Sequence, residues 1–82
     1  MAEKNTRSGL DIHPDIAAIA SAVRAARRAH GLTQAALAGL SGTGLRFISD
    51  LERGKPSLAL NKVADVLTTL GLRLQVVDPA HG

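Results

Sequence analysis

Between residues 45 and 55 the chain sets out side chains suited to meeting a polyanion and reading it. Arg46 can fork onto the O6 and N7 acceptors of guanine, Ser49 can donate or accept, and Leu45 can meet a thymine methyl. On a helical wheel Leu45, Arg46, Ser49, Asp50 and Arg53 share one side, while Phe47, Ile48 and Leu51 share the other. Asp50 is the one acidic member of that face, so against a nucleic acid either it would accept from cytosine N4 or it would aim Arg46 or Arg53. Arg53 and Lys55, at the end of this helix, suit phosphates, and such contacts position a protein without specifying sequence.

No other grouping offers comparable chemistry. His13, His30 and His81 are dispersed and there is no cysteine. No nucleophile, base or metal cluster is visible, so neither catalysis nor a metal or cofactor is expected. The run 39–44 is glycine-rich but fits neither phosphate-loop pattern and follows no strand, so it reads as turn chemistry.

The charge distribution points the same way. The net charge of +3 over 82 residues is uneven. Residues 1–23 carry Lys4 and Arg7 against Glu3, Asp11 and Asp15. Residues 24–55 carry Arg24, Arg27, Arg28, Arg46, Arg53 and Lys55 against only Asp50 and Glu52. Residues 56–82 balance, with Lys62 and Arg73 against Asp65 and Asp78. A central excess of this kind suits a polyanionic partner or a solvated helix face. With one Phe and no Trp or Tyr, stacking on unpaired bases has little to work with. The longest apolar run near the start, 16–20, is far short of a membrane span or signal-peptide core. These features argue against a secreted miniprotein, a membrane protein and a large enzyme, and a cytoplasmic, nucleoid-associated protein is expected. One domain of this size buries only ~60–65 % of its unfolded surface, so a lone monomer would be marginally stable.

The elements that must hold the central residues follow from apolar spacing. A first helix starts at Pro14, keeps Ile16, Ile19, Ala20, Val23, Ala26 and Arg27 on one face, and stops at Gly31. Arg24 and Arg28 lie opposite, solvated or available to a phosphate or partner. A second helix covers about 34–40, capped by Thr33, stapled by Leu32 and Leu37, and ended by Gly42. A third covers about 44–53, broken by Gly54-Lys55-Pro56. Ser57 is expected to cap a fourth helix running through Leu70, with Leu60, Val63, Ala64, Leu67 and Leu70 as its stripe. Residues 72–77 alternate with period two and read as a strand.

Helices two and three are separated by about three residues including a glycine, the spacing of a helix-turn-helix. Ala38 and Ile48 supply the small and branched pair that so close a crossing needs, and the second helix then offers its outer face to the major groove. Residues 33–38, Gly42 and the run Ile48-Ser49-Asp50-Leu51-Glu52-Arg53-Gly54-Lys55-Pro56 resemble the Cro/repressor, or XRE-type, DNA-binding domain over roughly residues 16–71. Residues 46–56 and 60–67, with a fourth helix running into a terminal strand, most resemble HipB-like antitoxins. Thr43, Gly44 and Leu45 depart from the usual pattern of a branched apolar residue, a capping residue and a polar residue.

The resemblance implies an all-α fold of four to five helices, lambda-repressor-like, with a short terminal strand paired across a dimer axis. It divides the chain into a flexible tail (1–12), the helix-turn-helix domain (13–71), a dimerisation strand carrying Leu72, Leu74 and Val76 (72–77), and a flexible end (78–82). It implies a homodimeric repressor of its own operon that binds double-stranded operator DNA and holds a HipA-type serine/threonine kinase toxin. Leu45, Arg46, Ser49 and Asp50 are then the base contacts. Thr33, Gln34, Thr43, Arg53 and Lys55 are the phosphate contacts, Gln34 also lying where a helix N-terminus favours an anion. A stand-alone regulator and an interaction module that has lost DNA binding are the alternatives. Finally, Arg27 sits on the apolar stripe of helix one and Glu52 beside the inner face of helix three, the only glutamate outside the tail. An unpaired charge there is costly, so the two are expected to form a structural ion pair, a pairing that the XRE resemblance also implies.

Overall fold

A computed structural model describes residues 12–80 of the chain. The expectations for residues 1–11 and 81–82 lie outside the described residues. Four helices follow in order: α1 (Pro14–Ala29), α2 (Gln34–Ser41), α3 (Leu45–Glu52) and α4 (Leu60–Thr69). The described residues form a small all-helical unit.

Each start and stop has a local cause. Pro14 opens α1, where its missing N–H costs nothing, and His13 Nδ1 accepts from the Asp15 N–H at 3.0 Å. Thr33 Oγ1 caps α2 by accepting from the Ala36 N–H at 3.0 Å. Gly42, at φ 71°, turns the chain left-handed after α2 and lets the Thr43 N–H reach Ala38 O at 3.0 Å. Ser41 Oγ bonds Leu37 O at 2.8 Å and Thr43 Oγ1 at 2.9 Å, so two hydroxyls tie the turn where a branched apolar residue is usual. Gly44 gives α3 no side-chain cap.

The ridge of each helix meets a single core: Val23 from α1, Leu37 and Ala38 from α2, Ile48 and Leu51 from α3, and Val63, Val66, Leu67 and Leu70 from α4 and its end. Helix α2 packs on both α3 and α4, and α1 packs on α3. Gly54 closes the corner after α3. Its φ of 80° is disallowed for most side chains, and an added Cβ would lie 3.1 Å from Ile12 Cδ1.

Two expectations about the second half need correction. Helix α4 begins at Leu60, not after Ser57, and Ala59 gives it no side-chain cap. Residues 57–59 stay non-helical, and from that stretch Leu58 packs against the core. The buried stripe also differs from the expected one. Leu60 is 68 % exposed, while Val66, absent from the expected stripe, is fully buried.

Residues 72–77 form no strand among the described residues. Leu72 packs against the core and its N–H reaches Leu67 O at 2.7 Å. Beyond it Leu74, Val76 and Val77 are exposed. A strand exists only through a neighbour's backbone groups, and no described segment offers them. Ile12, the first described residue, packs at Gly54 rather than beside residues 72–77.

Candidate nucleic-acid interface

Helix α3 is held from behind and left open in front. Ile48 and Leu51 anchor it in the core, while Leu45 and Arg46 stand exposed on the opposite side and Ser49 is half-buried. The tight turn tied by Ser41 and Thr43 leads directly into it. Its outer face is therefore rigidly mounted, as base readout requires.

The rear mount is polar as well as apolar. Glu52 ends α3 with a carboxylate only 3 % exposed, and the structure brings Arg27 of α1 onto it. Arg27 Nε donates to Glu52 Oε2 at 2.6 Å and Nη2 donates to Oε1 at 3.1 Å, a two-pronged pair. Arg27 Nη1 also donates to Leu32 O at 2.8 Å. Gln34 Nε2 donates to Glu52 Oε1 at 3.1 Å. Arg24 Nη1 donates to the Glu52 main-chain carbonyl at 2.7 Å. One glutamate thus clasps α1, α2 and α3 together. Burial pushes the Glu52 carboxyl up, but hydrogen bonds from Arg27 and Gln34, with the charges of Arg27 and Arg24, outweigh it and hold the carboxyl below its ordinary value. The hydrogen bond to Glu52 raises Arg27, against the lowering effect of burial.

The other residues singled out in the sequence divide by what they already hold. Arg53 Nη1 donates to Ser49 Oγ at 3.1 Å, leaving the serine O–H free to donate elsewhere. Asp50 is 5 % exposed and lies among Arg46, Arg53 and Lys55. Gln34 spends one amide hydrogen on Glu52 and keeps the other. Thr33 Oγ1 accepts in the cap, and Thr43 Oγ1 is shared with Ser41, so neither hydroxyl is idle. Arg46, Arg53 and Lys55 are exposed around α3 and its end.

Sequence reasoning placed Arg24 on the solvated face and missed its bond to the end of α3. The available signal was spacing: residues 24 and 27 are one helical turn apart, so a partner of one lies within reach of the other. No group of described residues could hold a metal ion, and no described helix is long and apolar enough to cross a membrane.

Comparison with known proteins agrees with this geometry. A helix-turn-helix family profile matches residues 23–77, which takes in the end of α1, all of α2 to α4 and the segment beyond. An uncharacterized HTH-type transcriptional regulator of Sinorhizobium fredii, y4mF, is 48 % identical over 63 residues, covering 77 % of this chain and 83 % of that protein. With α2, a three-residue turn and α3 in the required relation, the chain belongs to the helix-turn-helix family.

Proposed function

We propose that the protein is a sequence-specific repressor that binds operator DNA as a homodimer, represses its own operon, and is the antitoxin of a HipA-type kinase. Regulation of transcription through a helix-turn-helix DNA-binding domain is the part that family membership supplies. The observation that carries the DNA reading is the outer face of α3: exposed Leu45 and Arg46, a Ser49 hydroxyl with a free hydrogen, and Arg53 and Lys55 flanking them. In this reading Leu45, Arg46 and Ser49 meet base edges. Arg53, Lys55, Thr33, Thr43 and the free amide hydrogen of Gln34 meet phosphates.

The dimer reading rests on residues 72–77. No described residue supplies a hydrogen-bond partner to the backbone of residues 73–77, and Val76 is 99 % exposed. A second copy of the same segment would satisfy those groups through a two-fold interface. A groove beside the segment, with Ile19, Leu67 and Leu72 in its apolar lining and Asp15, Arg73 and Gln75 also on its wall, would take the added side chains. The antitoxin reading rests on the likeness of residues 46–56 and 60–67 to HipB-like antitoxins.

Two measurements test these readings. Footprinting with the full chain should show two half-sites about one helical turn apart, and Arg46→Ala should cost about 1–3 kcal/mol on that site. Purification from the native host should bring down a kinase-like protein. Specific DNA binding with no such companion would leave a stand-alone regulator, and equal affinity for all duplexes would leave an interaction module.

A further inference from the structure

Arg46 on the outer side of α3 and Arg53 and Lys55 just past its end surround one carboxylate, Asp50, which is the buried member. The Asp50 side chain is 7 % exposed, against 85 % for Arg46. Its Oδ1 accepts from Arg53 Nη2 at 2.5 Å and lies 3.5 Å from Arg46 Nε. Its Oδ2 lies 3.6 Å from Lys55 Nζ, and its main-chain carbonyl accepts from the Lys55 N–H at 3.0 Å. Cytosine N4 would have to reach a carboxylate that is enclosed and already engaged on both oxygens.

We propose that Asp50 is a positioning residue for base readout. Its charge, 3.5 Å from Arg46 Nε, favours the arrangement in which the Nη1 and Nη2 edge faces outward as a fork for O6 and N7 of a single guanine. The proposal rests on the reading of α3 as the helix that enters the major groove. A guanidinium offers donors on more than one edge, and the one nearest Asp50 is Nε, one helical turn away. Nε is drawn to Asp50 by charge at 3.5 Å, and no described residue accepts a hydrogen bond from Arg46 Nη1 or Nη2. An exposed arginine otherwise samples many rotamers, and ordering it on binding opposes affinity. A fixed carboxylate at its root removes part of that cost before DNA arrives. The same negative charge repels phosphates, so it weakens binding to arbitrary duplex while supporting the side chain that reads sequence.

The test is selection from a randomised duplex library with the full chain and with Asp50→Asn, Arg46→Ala and the double variant. The parent should enrich a guanine at one position of each half-site. Asp50→Asn should weaken that preference by about 2- to 12-fold, the cost of ordering one long side chain on binding. Its affinity for mixed-sequence duplex should hold or rise. Arg46→Ala should erase the same position, and the double variant should lose no more than Arg46→Ala alone. A guanine preference unchanged by Asp50→Asn, losses that add, or an equal loss on all duplexes would each overturn the proposal. The unmodified chain gives a second measurement that needs no variant. Without DNA, the Arg46 Nε–H should exchange with water more slowly than that of Arg28, which is exposed. Equal exchange would also overturn it. A parent that enriches nothing would instead refute base reading by α3, and this proposal with it.

Discussion

Arg27→Met leaves the Glu52 carboxylate, 3 % exposed, without the cation that hydrogen-bonds both its oxygens. Breaking one side of a buried pair costs about 3–5 kcal/mol. A chain of this length has roughly 4–12 kcal/mol in total, so the loss is a large fraction of it. The melting temperature should fall by at least about 12 °C. Arg27→Met with Glu52→Leu removes both charges and should recover most of the loss. It should fall short by the bonds from Arg27 to Leu32 O and from Gln34 to Glu52, about 0.5–1.5 kcal/mol each.

The pH dependence gives a sharper check on the cause. In the parent, Glu52 is held below its ordinary value, so it contributes stability above the unfolded value, lost as pH falls through the folded one. In Arg27→Met, burial becomes the leading influence on that carboxyl and raises it. Its stability contribution is then present at low pH and lost as pH rises through the raised value. The gap between parent and variant should therefore be widest near neutral pH and narrow toward about pH 4, where carboxylates ordinarily titrate. Urea unfolding followed by circular dichroism at the two pH values measures it. A gap that does not change with pH, or a double variant as unstable as the single, would refute the reasoning.

Other outcomes follow from single contacts. Gly54→Ala should destabilise by about 1–2 kcal/mol from its positive φ alone, and by more if Ile12 cannot move away from the new methyl; thermal unfolding reads this directly. Thr33→Ala removes the α2 cap and should cost about 1 kcal/mol, with Thr33→Ser restoring most of it. Lys55→Ala should weaken binding to all duplexes alike and lower the salt slope by about one unit, measured by titration at several salt concentrations.

The parts of this architecture that were legible in the sequence are those decided locally. Thr33 before an apolar run, Pro14 at a helix start and Gly42 at a helix end each act within four residues, and the structure places them so. The crossing of α2 and α3 was legible because Ala38 and Ile48 are both buried in one core, one small and one branched. The start of α4 was not, because Ser57 is a good cap only if a helix follows it. Here Leu58 joins the core from outside any helix, so tertiary packing decides the boundary. Asp50 was ambiguous for a similar reason. Its position on the wheel is outward, yet Arg46, Arg53 and Lys55 close over it, and no wheel records how neighbouring long side chains fold back.

Residues 72–77 show the limit most clearly. Period-two alternation records which side chains would share a face, but a strand is defined by hydrogen bonds to another segment. The helices satisfy their own backbone groups, so one chain suffices to form them. The terminal segment cannot, and within one chain its alternation shows only as apolar side chains left in solvent at Leu74, Val76 and Val77. The homodimer proposed above would supply those groups from the same segment of a second copy. If that pairing forms, it also sets the distance between two α3 helices, since α4 joins residues 72–77 to the core on which α3 is mounted. In the proposed dimer, pairing and the spacing of DNA half-sites are one structural variable, carried by a segment of which Leu72 packs on the chain's own core while no described residue hydrogen-bonds the backbone of residues 73–77.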